Sequence, residues 1–394
     1  MSEPPSGLAL YLHYPYCARL CPYCDFNVYL RRHRLDDDAL LAAYGAQLRA
    51  LHGRMDAPRA LTSVFLGGGT PSLMSPALLD GVLQLAAQQF GLAADVEVTL
   101  EANPSEASAA RLTNMRAAGV TRLSLGVQSL RDDGLRFYGR THDAAEARAA
   151  AGAAARLFAH WSLDMLYARP QQSVRAWRAE MRDALALHAP HYSFYQLTIE
   201  PGTAFARQVA AQRWLPPRPE LAARLYEATQ EACAAVGLAA YEVSNHARAP
   251  AQYARHNWHV WQGGEYLGIG PGAAGRVICG GVRHAAHAIP EPRAWAAACH
   301  GPSAGYADWT PLSAEEVRTE RTLLGLRLAD GVPRRTAEAL GLAPLGARGR
   351  RLRRAGLVQL DGRGVRVPPK GRLLLDEICA QLLADADDAK AAGD

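Results

Sequence analysis

The chain has 394 residues, of which 49% are hydrophobic, and a formal net charge of +5 at pH 7. This length allows two or three domains of about 150 residues, and a barrel of about 250 residues can form one domain. Because 43 Lys and Arg residues nearly balance 38 Asp and Glu residues, the bulk charge does not favour a nucleic-acid partner.

The N-terminal sequence and the hydropathy pattern predict a cytoplasmic protein. Residues 1–7 contain Glu, Ser and Pro but no basic start and no apolar run. No stretch of the chain approaches the ~18 consecutive apolar residues of a membrane-spanning helix. We therefore expect no secretory signal and no integral membrane segment, although transient contact with a membrane surface stays possible. The oligomeric state is left open.

From residue 8 to about residue 200, short apolar runs alternate with alanine-rich stretches of helical pattern. Strands are predicted at LALYLHY, SVFLGGGT, VEVTLEANP, RLSLGVQS, SLDMLYARP and HYSFYQLTIEP, and helices at residues 36–52, 75–90, 105–118, 143–158 and 173–188. Repeated β-then-α units predict a parallel sheet. Since no GxGxxG motif follows the first strand, we predict an α/β fold with a partial (β/α)6 TIM-like barrel over residues 8–212.

The sequence pattern changes after the barrel. Residues 213–312 are predicted to connect two domains: a proline-rich linker or lid, a helix at 221–236, and a glycine-rich aromatic region. Residues 313–384 predict helices followed by a β-hairpin and a final helix, typical of a winged-helix-like domain. Residues 385–394 are expected to form a flexible tail. The arginine run at 348–356 is expected to be a solvated helix face rather than a nucleic-acid site.

Three of the seven cysteines are crowded after the first predicted strand, in the pattern C-x3-C-x2-C. Crowded thiols in a reducing compartment indicate metal ligands. Cys17, Cys21 and Cys24 can bind three irons of a [4Fe–4S] cluster and leave the fourth iron for an outside ligand. A structural zinc ion would need a fourth Cys or His, and His13 is expected to lie on the far side of its strand. The remaining cysteines are expected to be ordinary buried residues.

This cysteine motif resembles that of the radical S-adenosylmethionine superfamily. In that superfamily the amino and carboxylate groups of S-adenosylmethionine chelate the fourth iron. The resemblance implies reductive cleavage of this ligand to a 5′-deoxyadenosyl radical. The remaining polar residues at predicted strand ends support one shared site, because barrel chemistry lies at the carboxyl ends of the strands.

A closer resemblance covers nearly the whole chain. The segments YLHYPYC…CPYCDFN, FLGGGTPSLM, LEANP, RLSLGVQSL, YGRTH, YQLTIEPGT, YEVSNHA and YLGIGPGA appear in order. They are similar to the family containing oxygen-independent coproporphyrinogen III dehydrogenase (HemN) and the heme chaperone HemW. The resemblance implies S-adenosylmethionine contacts at Tyr11, Tyr23, Gly68, Gly69, Thr70, Glu101, Gln128, Arg140 and Asp164. Each polar side chain could instead cap a helix or satisfy backbone groups.

Two features favour the HemW branch of this family. The dehydrogenase pattern has a fourth cysteine where this sequence has Phe26, and the dehydrogenase has a longer N-terminal arm. HemW-type proteins are thought to bind heme and pass it to respiratory hemoproteins. The alternatives are a coproporphyrinogen dehydrogenase, a radical methylase, or a protein that has lost radical turnover. The resemblance identifies no catalytic residue, and whether turnover occurs stays open.

The segment HNWHVW at residues 256–261 is similar to the HNxxYW motif associated with heme binding in HemW proteins. This similarity implies heme contacts at His256, Asn257 and Trp261, with His259 as an alternative iron ligand. Val260 departs from the tyrosine of the motif. The ordinary alternative is that His256 only structures its loop.

Overall fold

The computed structural model describes residues 7–391, and a twelve-stranded sheet dominates this part of the chain. The strands of the described residues are β1 (Leu8–Tyr14), β2 (Tyr16–Cys17), β3 (Tyr29–Leu30), β4 (Leu61–Gly68), β5 (Leu92–Ala102), β6 (Arg122–Gln128), β7 (His160–Tyr167), β8 (His191–Gln196), β9 (Ala239–Ala240), β10 (Asn245–Ala247), β11 (Glu265–Ile269), β12 (Ala274–Cys279), β13 (Val282–Ala288), β14 (Tyr306–Pro311), β15 (Val332–Pro333), β16 (Gln359–Asp361) and β17 (Gly364–Arg366).

Helices follow most of the long strands. The α-helices are α1 (Asp37–Arg54), α2 (Pro76–Phe90), α3 (Ala109–Ala117), α4 (Asp132–Phe137), α5 (Ala144–Leu157), α6 (Val174–Leu185), α7 (Ala204–Ala210), α8 (Pro219–Ala234), α9 (Arg255–Trp261), α10 (Pro292–Ala298), α11 (Ala314–Arg327), α12 (Arg334–Ala339), α13 (Ala347–Arg354) and α14 (Leu375–Ala391). Short 3-10 helices lie at Arg31–His33, Pro71–Leu73, Pro104–Glu106, Pro250–Gln252 and Pro369–Leu374. None of the helices in residues 7–391 is both long enough and apolar enough to cross a membrane.

The long sheet has the order β14-β13-β12-β11-β1-β4-β5-β6-β7-β8-β10-β9. Strands β1, β4, β5, β6, β7 and β8 are parallel and adjacent in chain order, which confirms the predicted (β/α)6 arrangement. Parallel strands connected by helices all end at the same edge of the sheet. The loops after these strands therefore come together at one end of the barrel.

Local sequence signals fix where the barrel helices begin. The Ser75 side chain accepts a hydrogen bond from Leu78 N at 3.1 Å, and Pro76 follows as the first residue of α2. Asp143 and Glu146 form a reciprocal capping box at the start of α5. Such caps satisfy N–H groups that have no partner within the helix. These contacts explain why sequence-based helix starts agree with the structure.

The segment 213–312 adds a packed helix and four strands to the barrel, in addition to connecting two domains. Its predicted limits stay a prediction. Helix α8 packs against α6, where Trp177 Nε1 donates a buried hydrogen bond to Thr229 Oγ1 at 2.8 Å. Strand β11 pairs in parallel with β1, and β12, β13 and β14 continue the sheet in antiparallel order. One apolar core accordingly extends from Leu8 to Tyr306.

The C-terminal region has its own apolar core, from Leu326 to Leu382. Helices α11 to α14 surround a small antiparallel sheet of the order β15-β17-β16, as in the predicted winged-helix-like arrangement. Where a tail was expected over residues 385–394, the structure has α14 continuing to Ala391, and residues 392–394 lie outside the described part of the chain. Asp385 accepts hydrogen bonds from the backbone N–H groups of Arg348 and Gly349. This contact fixes the last turns of α14 to the start of α13.

Candidate functional site

The carboxyl ends of the parallel strands surround a cavity of about 960 Å³. The cavity is lined by every residue predicted to bind a cluster or S-adenosylmethionine: Tyr11, Cys17, Cys21, Tyr23, Cys24, Gly68, Gly69, Thr70, Glu101, Gln128, Arg140 and Asp164. These side chains come from six strand ends and the loops that follow them. The fold therefore brings together residues that are spread over more than a third of the sequence.

The three cysteines lie on the loop that leaves the first strand. Cys17 is buried at the end of β2, whereas Cys21 and Cys24 are half-buried, and all three are free thiols. Cys24 N donates to Cys21 O at 3.2 Å, which closes a tight turn. Burial raises the pKa of Cys17 and raises the pKa of Cys24 to about 11. A cation bound between the thiols would offset this cost, since metal coordination favours the thiolate form.

Later strands supply hydrogen-bond donors to two of these sulfurs. Arg140 Nη1 lies 3.4 Å from Cys21 Sγ, and Thr70 Oγ1 donates to Cys17 Sγ at 3.5 Å. Asn103 joins the two donors: it donates to Thr70 Oγ1 at 3.2 Å and accepts from Arg140 Nη2. Donors to cluster sulfurs tune reduction potential in iron–sulfur proteins. Asn103 was not among the predicted site residues, although it directly follows Glu101-Ala102.

The thiols do not converge on one point. Within residues 7–391, no three His, Cys, Asp or Glu side chains are grouped so that they could hold a single metal ion. An iron–sulfur cluster differs from such a site, because each cysteine binds a different iron and the ligands surround the cluster. Three thiols spaced along one loop fit the ligand pattern of such a cluster.

The glycine loop after β4 packs directly against the cysteine loop. Gly68 has φ +105°, a conformation that favours glycine, and a Cβ atom there would meet the His13 ring. A Cβ atom on Gly69 would lie 2.8 Å from Tyr16 O. Gly69 N and Thr70 N donate to Tyr14 O and Tyr16 O at 2.8 and 2.9 Å. Glycines are therefore required at this junction for close backbone approach.

Four carboxyl residues line the cavity, and two of them, Glu101 and Asp164, belong to its parallel strands. Burial, followed by repulsion from Asp164, raises the pKa of Glu101 to about 8, while Gly68 N donates to Glu101 Oε2 at 3.2 Å. Burial also raises the pKa of Asp164, whose Oδ2 accepts from Ser124 Oγ at 2.7 Å. Asp164 Oδ1 is buried without a partner. These oxygens can accept hydrogen bonds from hydroxyl or amino groups of a ligand.

The prediction that His13 faces away from the site is wrong. His13 lines the cavity, where Tyr11 OH lies 3.0 Å from His13 Nδ1 and His13 Nε2 lies 2.9 Å from Asn27 O. Side chains two apart in a strand share a face, so the position of Tyr11 indicated the position of His13. Burial lowers the pKa of His13, which favours a neutral imidazole that orients the Tyr11 hydroxyl.

Comparison with known proteins supports the predicted family for both the barrel and the C-terminal region. The profile of the Radical SAM superfamily matches residues 11–183, and that of the HemN C-terminal domain matches residues 312–374. Among solved structures, the coproporphyrinogen III oxidase HemN from Escherichia coli has a similar fold. The TM-score is 0.79 at 22% identity, over 95% of this chain and 90% of that chain.

Curated relatives define the family more narrowly. The heme chaperone HemW of Mycobacterium tuberculosis (strain ATCC 25618 / H37Rv) is 36% identical over 96% of both chains. This chain belongs to the HemW family of radical S-adenosylmethionine proteins. HemW of Escherichia coli (strain K12) is 37% identical over 68% of this chain and 70% of its own length. The mitochondrial radical S-adenosyl methionine domain-containing protein 1 of Bos taurus is 39% identical over 97% of this chain and 88% of its own length.

Membership of the HemW family implies a [4Fe–4S] cluster and S-adenosylmethionine as cofactors. Phe26 agrees with this membership, because the dehydrogenase pattern has its extra cysteine at this position. The Phe26 side chain is 60% exposed beside the cysteine loop. It leaves the three thiols unchanged and presents an aromatic ring at the surface.

The structure does not bring the three predicted heme residues of the HemW-like motif to one site. His256 is buried beneath Phe65 and Tyr11, with ring centroids 5.2 and 6.3 Å away. Asn257 lines the main cavity, whereas Trp261 lies under the Arg327 guanidinium, 4.5 Å from its ring centroid. Asn257 and Trp261 are four residues apart on the seven-residue helix α9 and share a face, and Arg327 also lines the main cavity. The buried His256 lies on another side of this helix, so the motif does not present all three side chains together.

His256 is held as a neutral core residue. Its Nδ1 lies 3.4 Å from Ser63 Oγ, and burial, followed by the charge of His259, lowers its pKa to about 3. The alternative ligand His259 is also buried, with Nε2 2.9 Å from Glu265 O. Neither imidazole is among the described residues that line the main cavity. The structural interpretation of His256 is therefore favoured over heme ligation.

Proposed function

We propose that this HemW-family protein binds a [4Fe–4S] cluster through Cys17, Cys21 and Cys24, together with S-adenosylmethionine, and that in this state it binds heme and delivers it to an acceptor hemoprotein. The observation that carries the proposal is the single cavity in which three free thiols meet a glycine loop and two half-buried carboxyl groups. The names of the curated HemW relatives support the heme part of the proposal.

Each face of the cavity has its own role in this proposal. The cluster would supply an electron to the bound S-adenosylmethionine. Glu101 and Asp164 would accept hydrogen bonds from its hydroxyl and amino groups, since one Asp164 oxygen is buried without a partner. Arg140 would orient Cys21 and the ligand carboxylate. The further contacts would come from Tyr11, Tyr23, Gly68, Gly69, Thr70 and Gln128.

Gln128 has an unusual backbone conformation for such a contact. It ends β6 with φ 67°, in the left-handed region that non-glycine residues seldom occupy. Such strain is found where surrounding structure holds a residue in place for function. The conformation supports a role for Gln128 in ligand positioning. Delivery to a respiratory hemoprotein and a cytoplasmic location complete the proposal.

The test is anaerobic reconstitution of the cluster, followed by separate titrations with S-adenosylmethionine and hemin. Serine at Cys17, Cys21 or Cys24 should abolish the visible absorbance of the cluster. The matched control, Cys279→Ser, changes a half-buried cysteine outside the cavity and should retain it. An intact cluster in any of the three serine variants would refute the ligand assignment.

The enzymatic alternative is tested in the same preparation. Dithionite, S-adenosylmethionine and coproporphyrinogen III are added to the reconstituted protein, and products are separated by chromatography. Formation of protoporphyrinogen would replace the chaperone proposal with a dehydrogenase. Hemin binding at micromolar or better affinity, without this product, is the expected result.

A further inference from the structure

A second cavity, of about 610 Å³, lies on the other side of the cysteine loop. We name it the cysteine-loop groove. Its apolar part is formed by Leu20, Phe26, Phe137, Phe205 and Trp214. Three arginines, Arg19, Arg136 and Arg207, also line it. This volume is within the range of about 300–1,000 Å³ that is usual for small-molecule sites.

The apolar part of the groove is an aromatic cluster separate from the main core. The Phe137 and Phe205 rings are 4.7 Å apart, and Trp214 packs edge-on against both at 5.4 and 5.0 Å. Beside them, Leu20 and Phe26 remain 46% and 60% exposed. Contiguous exposed apolar side chains are costly in water and mark binding surfaces. The groove thus offers apolar, partly aromatic walls to a ligand.

The charged part of the groove is entirely basic. Arg19 and Arg136 are exposed, and neither guanidinium group forms a hydrogen bond or an ion pair within residues 7–391. Arg207 uses one nitrogen to donate to Gly202 O at 2.8 Å. No carboxylate is among the described residues that line the groove. Unpaired guanidinium groups around an apolar surface complement a ligand that is apolar in its body and carries carboxylates.

The groove is fixed to the cysteine loop by backbone contacts. Phe205 N donates to Pro22 O at 2.8 Å. Gly139 has φ +68°, and a Cβ atom there would lie 2.7 Å from Pro22 Cδ. The residues of this loop that line both the groove and the main cavity are Arg19, Leu20, Cys21, Cys24, Phe26 and Val28. One loop therefore separates the two cavities, and its outer face is held in a defined position.

We propose that the cysteine-loop groove binds the porphyrin macrocycle of heme, with the ring against the aromatic cluster and the two propionate carboxylates toward the arginines. This inference rests on the proposed heme-binding function and gives it a location away from His256. No His or Met is among the described residues that line the groove, and its two cysteines are assigned to the cluster. Affinity accordingly comes from the ring and the propionates, so metal-free protoporphyrin IX binds as heme does.

The experiment uses the full-length protein with its cluster reconstituted. Hemin and protoporphyrin IX are titrated separately into the parent, into the double variant Arg19→Glu/Arg136→Glu, and into Phe26→Ser. The matched control, Arg351→Glu/Arg354→Glu, changes two exposed arginines of α13 and gives the same change in net charge. Thermal unfolding and cluster absorbance check that each variant is folded and loaded.

The groove variants should bind both porphyrins about tenfold more weakly or worse. The arginine double variant loses charge-assisted contacts to the propionates, and Phe26→Ser loses apolar contact with the ring. The control variant and His256→Ala should bind as the parent does. If the groove variants bind hemin as tightly as the parent does, the groove is not the porphyrin site. The proposed heme-binding function would then still stand. Binding of hemin without protoporphyrin IX would also overturn the groove as the porphyrin site, since iron ligation would then dominate.

Two more outcomes separate this inference from the proposed function and from a protein partner. A parent protein that binds neither porphyrin contradicts the proposed heme-binding function itself. The double variant could instead bind porphyrins as the parent does while its cluster is reduced more slowly by acidic flavodoxin. That result would overturn the porphyrin site and assign the groove to an electron-carrier protein.

Discussion

Arg140 Nη1 lies 3.4 Å from Cys21 Sγ, although 119 positions separate the two residues in the sequence. The same guanidinium donates to Gly126 O at 2.8 Å and to the Asn103 side chain. Arg140 thereby connects the cysteine loop to the ends of the two neighbouring strands β5 and β6. A planar fork of donors is needed for this, and a lysine ammonium could not reproduce it.

Arg140→Met should weaken retention of the cluster. The substitution removes the donor to Cys21 and leaves the Gly126 carbonyl and Asn103 without their partner. Each unsatisfied buried group costs about 1–3 kcal/mol, so the variant should also unfold at lower urea concentration. Loss of cluster absorbance in a chelator should be about tenfold faster than in the parent protein.

Arg116→Met is the matched control for this prediction, because Arg116 is exposed on α3. It should lose its cluster at the parental rate. Equal cluster-loss rates for Arg140→Met and Arg116→Met would show that Arg140 does not stabilise the loop.

Glu101→Gln should reveal the cost of a buried carboxylate. The pKa of Glu101 is about 8 in the folded protein, against 4.5 as an ordinary value. Between these values the folded state retains a proton that the unfolded state has released, so stability of the ligand-free protein falls as pH rises. Glutamine cannot ionise, and the variant should therefore gain stability relative to the parent at pH 8 but not at pH 5.

Urea unfolding of both proteins at pH 5 and pH 8 measures this difference, and S-adenosylmethionine titration should show weaker binding by the variant. Glu220→Gln, at an exposed position in α8, is the control. A difference between Glu101→Gln and the parent that does not change with pH would contradict the raised pKa.

The sequence allowed the central site to be predicted because its signals are local. Cysteine spacing, the glycine loop and Glu101 each lie where a recognisable strand ends, and parallel strands end at one edge. Asn103 carried no comparable signal, because a hydrogen bond between side chains from different loops has no local pattern. The positions of β11 to β14 were also missed, since β11 pairs with β1 across more than 250 residues.

The HNxxxW segment shows that a motif match alone does not predict where its side chains lie. Its residues match a motif, yet the direction of each side chain depends on how α9 is placed beneath the barrel. Three contacts set that placement: Arg255 N donates to Glu97 Oε1 at 2.7 Å, and Arg122 donates to the carbonyls of Gln252 and Tyr253. These long-range contacts bury His256, and no feature of the six-residue segment indicates them.

Thr229→Val should destabilise the contact between α6 and α8. Trp177 Nε1 donates to Thr229 Oγ1 at 2.8 Å, and both residues are fully buried. Valine has a similar shape but leaves the indole N–H unpaired in the core, at a cost of about 1–3 kcal/mol. Urea unfolding should show this loss, whereas Thr113→Val on the exposed face of α3 should change stability little. Equal stability of the two variants would indicate that α8 does not pack as a barrel helix.

His256 should make the stability of the protein sensitive to acid. Its pKa is about 3 in the folded protein and 6.5 as an ordinary value, because burial disfavours the charged ring. A depressed pKa of this kind contributes stability above pH 6.5 that is lost as pH falls, since the unfolded state binds the proton first. His256→Gln should be less stable than the parent at pH 7.5, through lost packing against Phe65. That deficit should shrink by about 1 kcal/mol between pH 6 and pH 5.

Urea unfolding at pH 7.5, 6 and 5 provides the measurement, with His300→Gln, at an exposed position, as the control. The control should differ from the parent by the same amount at each pH. A heme ligand presented to solvent would titrate near its ordinary pKa, and its substitution would leave the pH dependence almost unchanged. A deficit of His256→Gln that stays constant from pH 7.5 to pH 5 would consequently argue against the buried neutral imidazole and return His256 to consideration as an iron ligand.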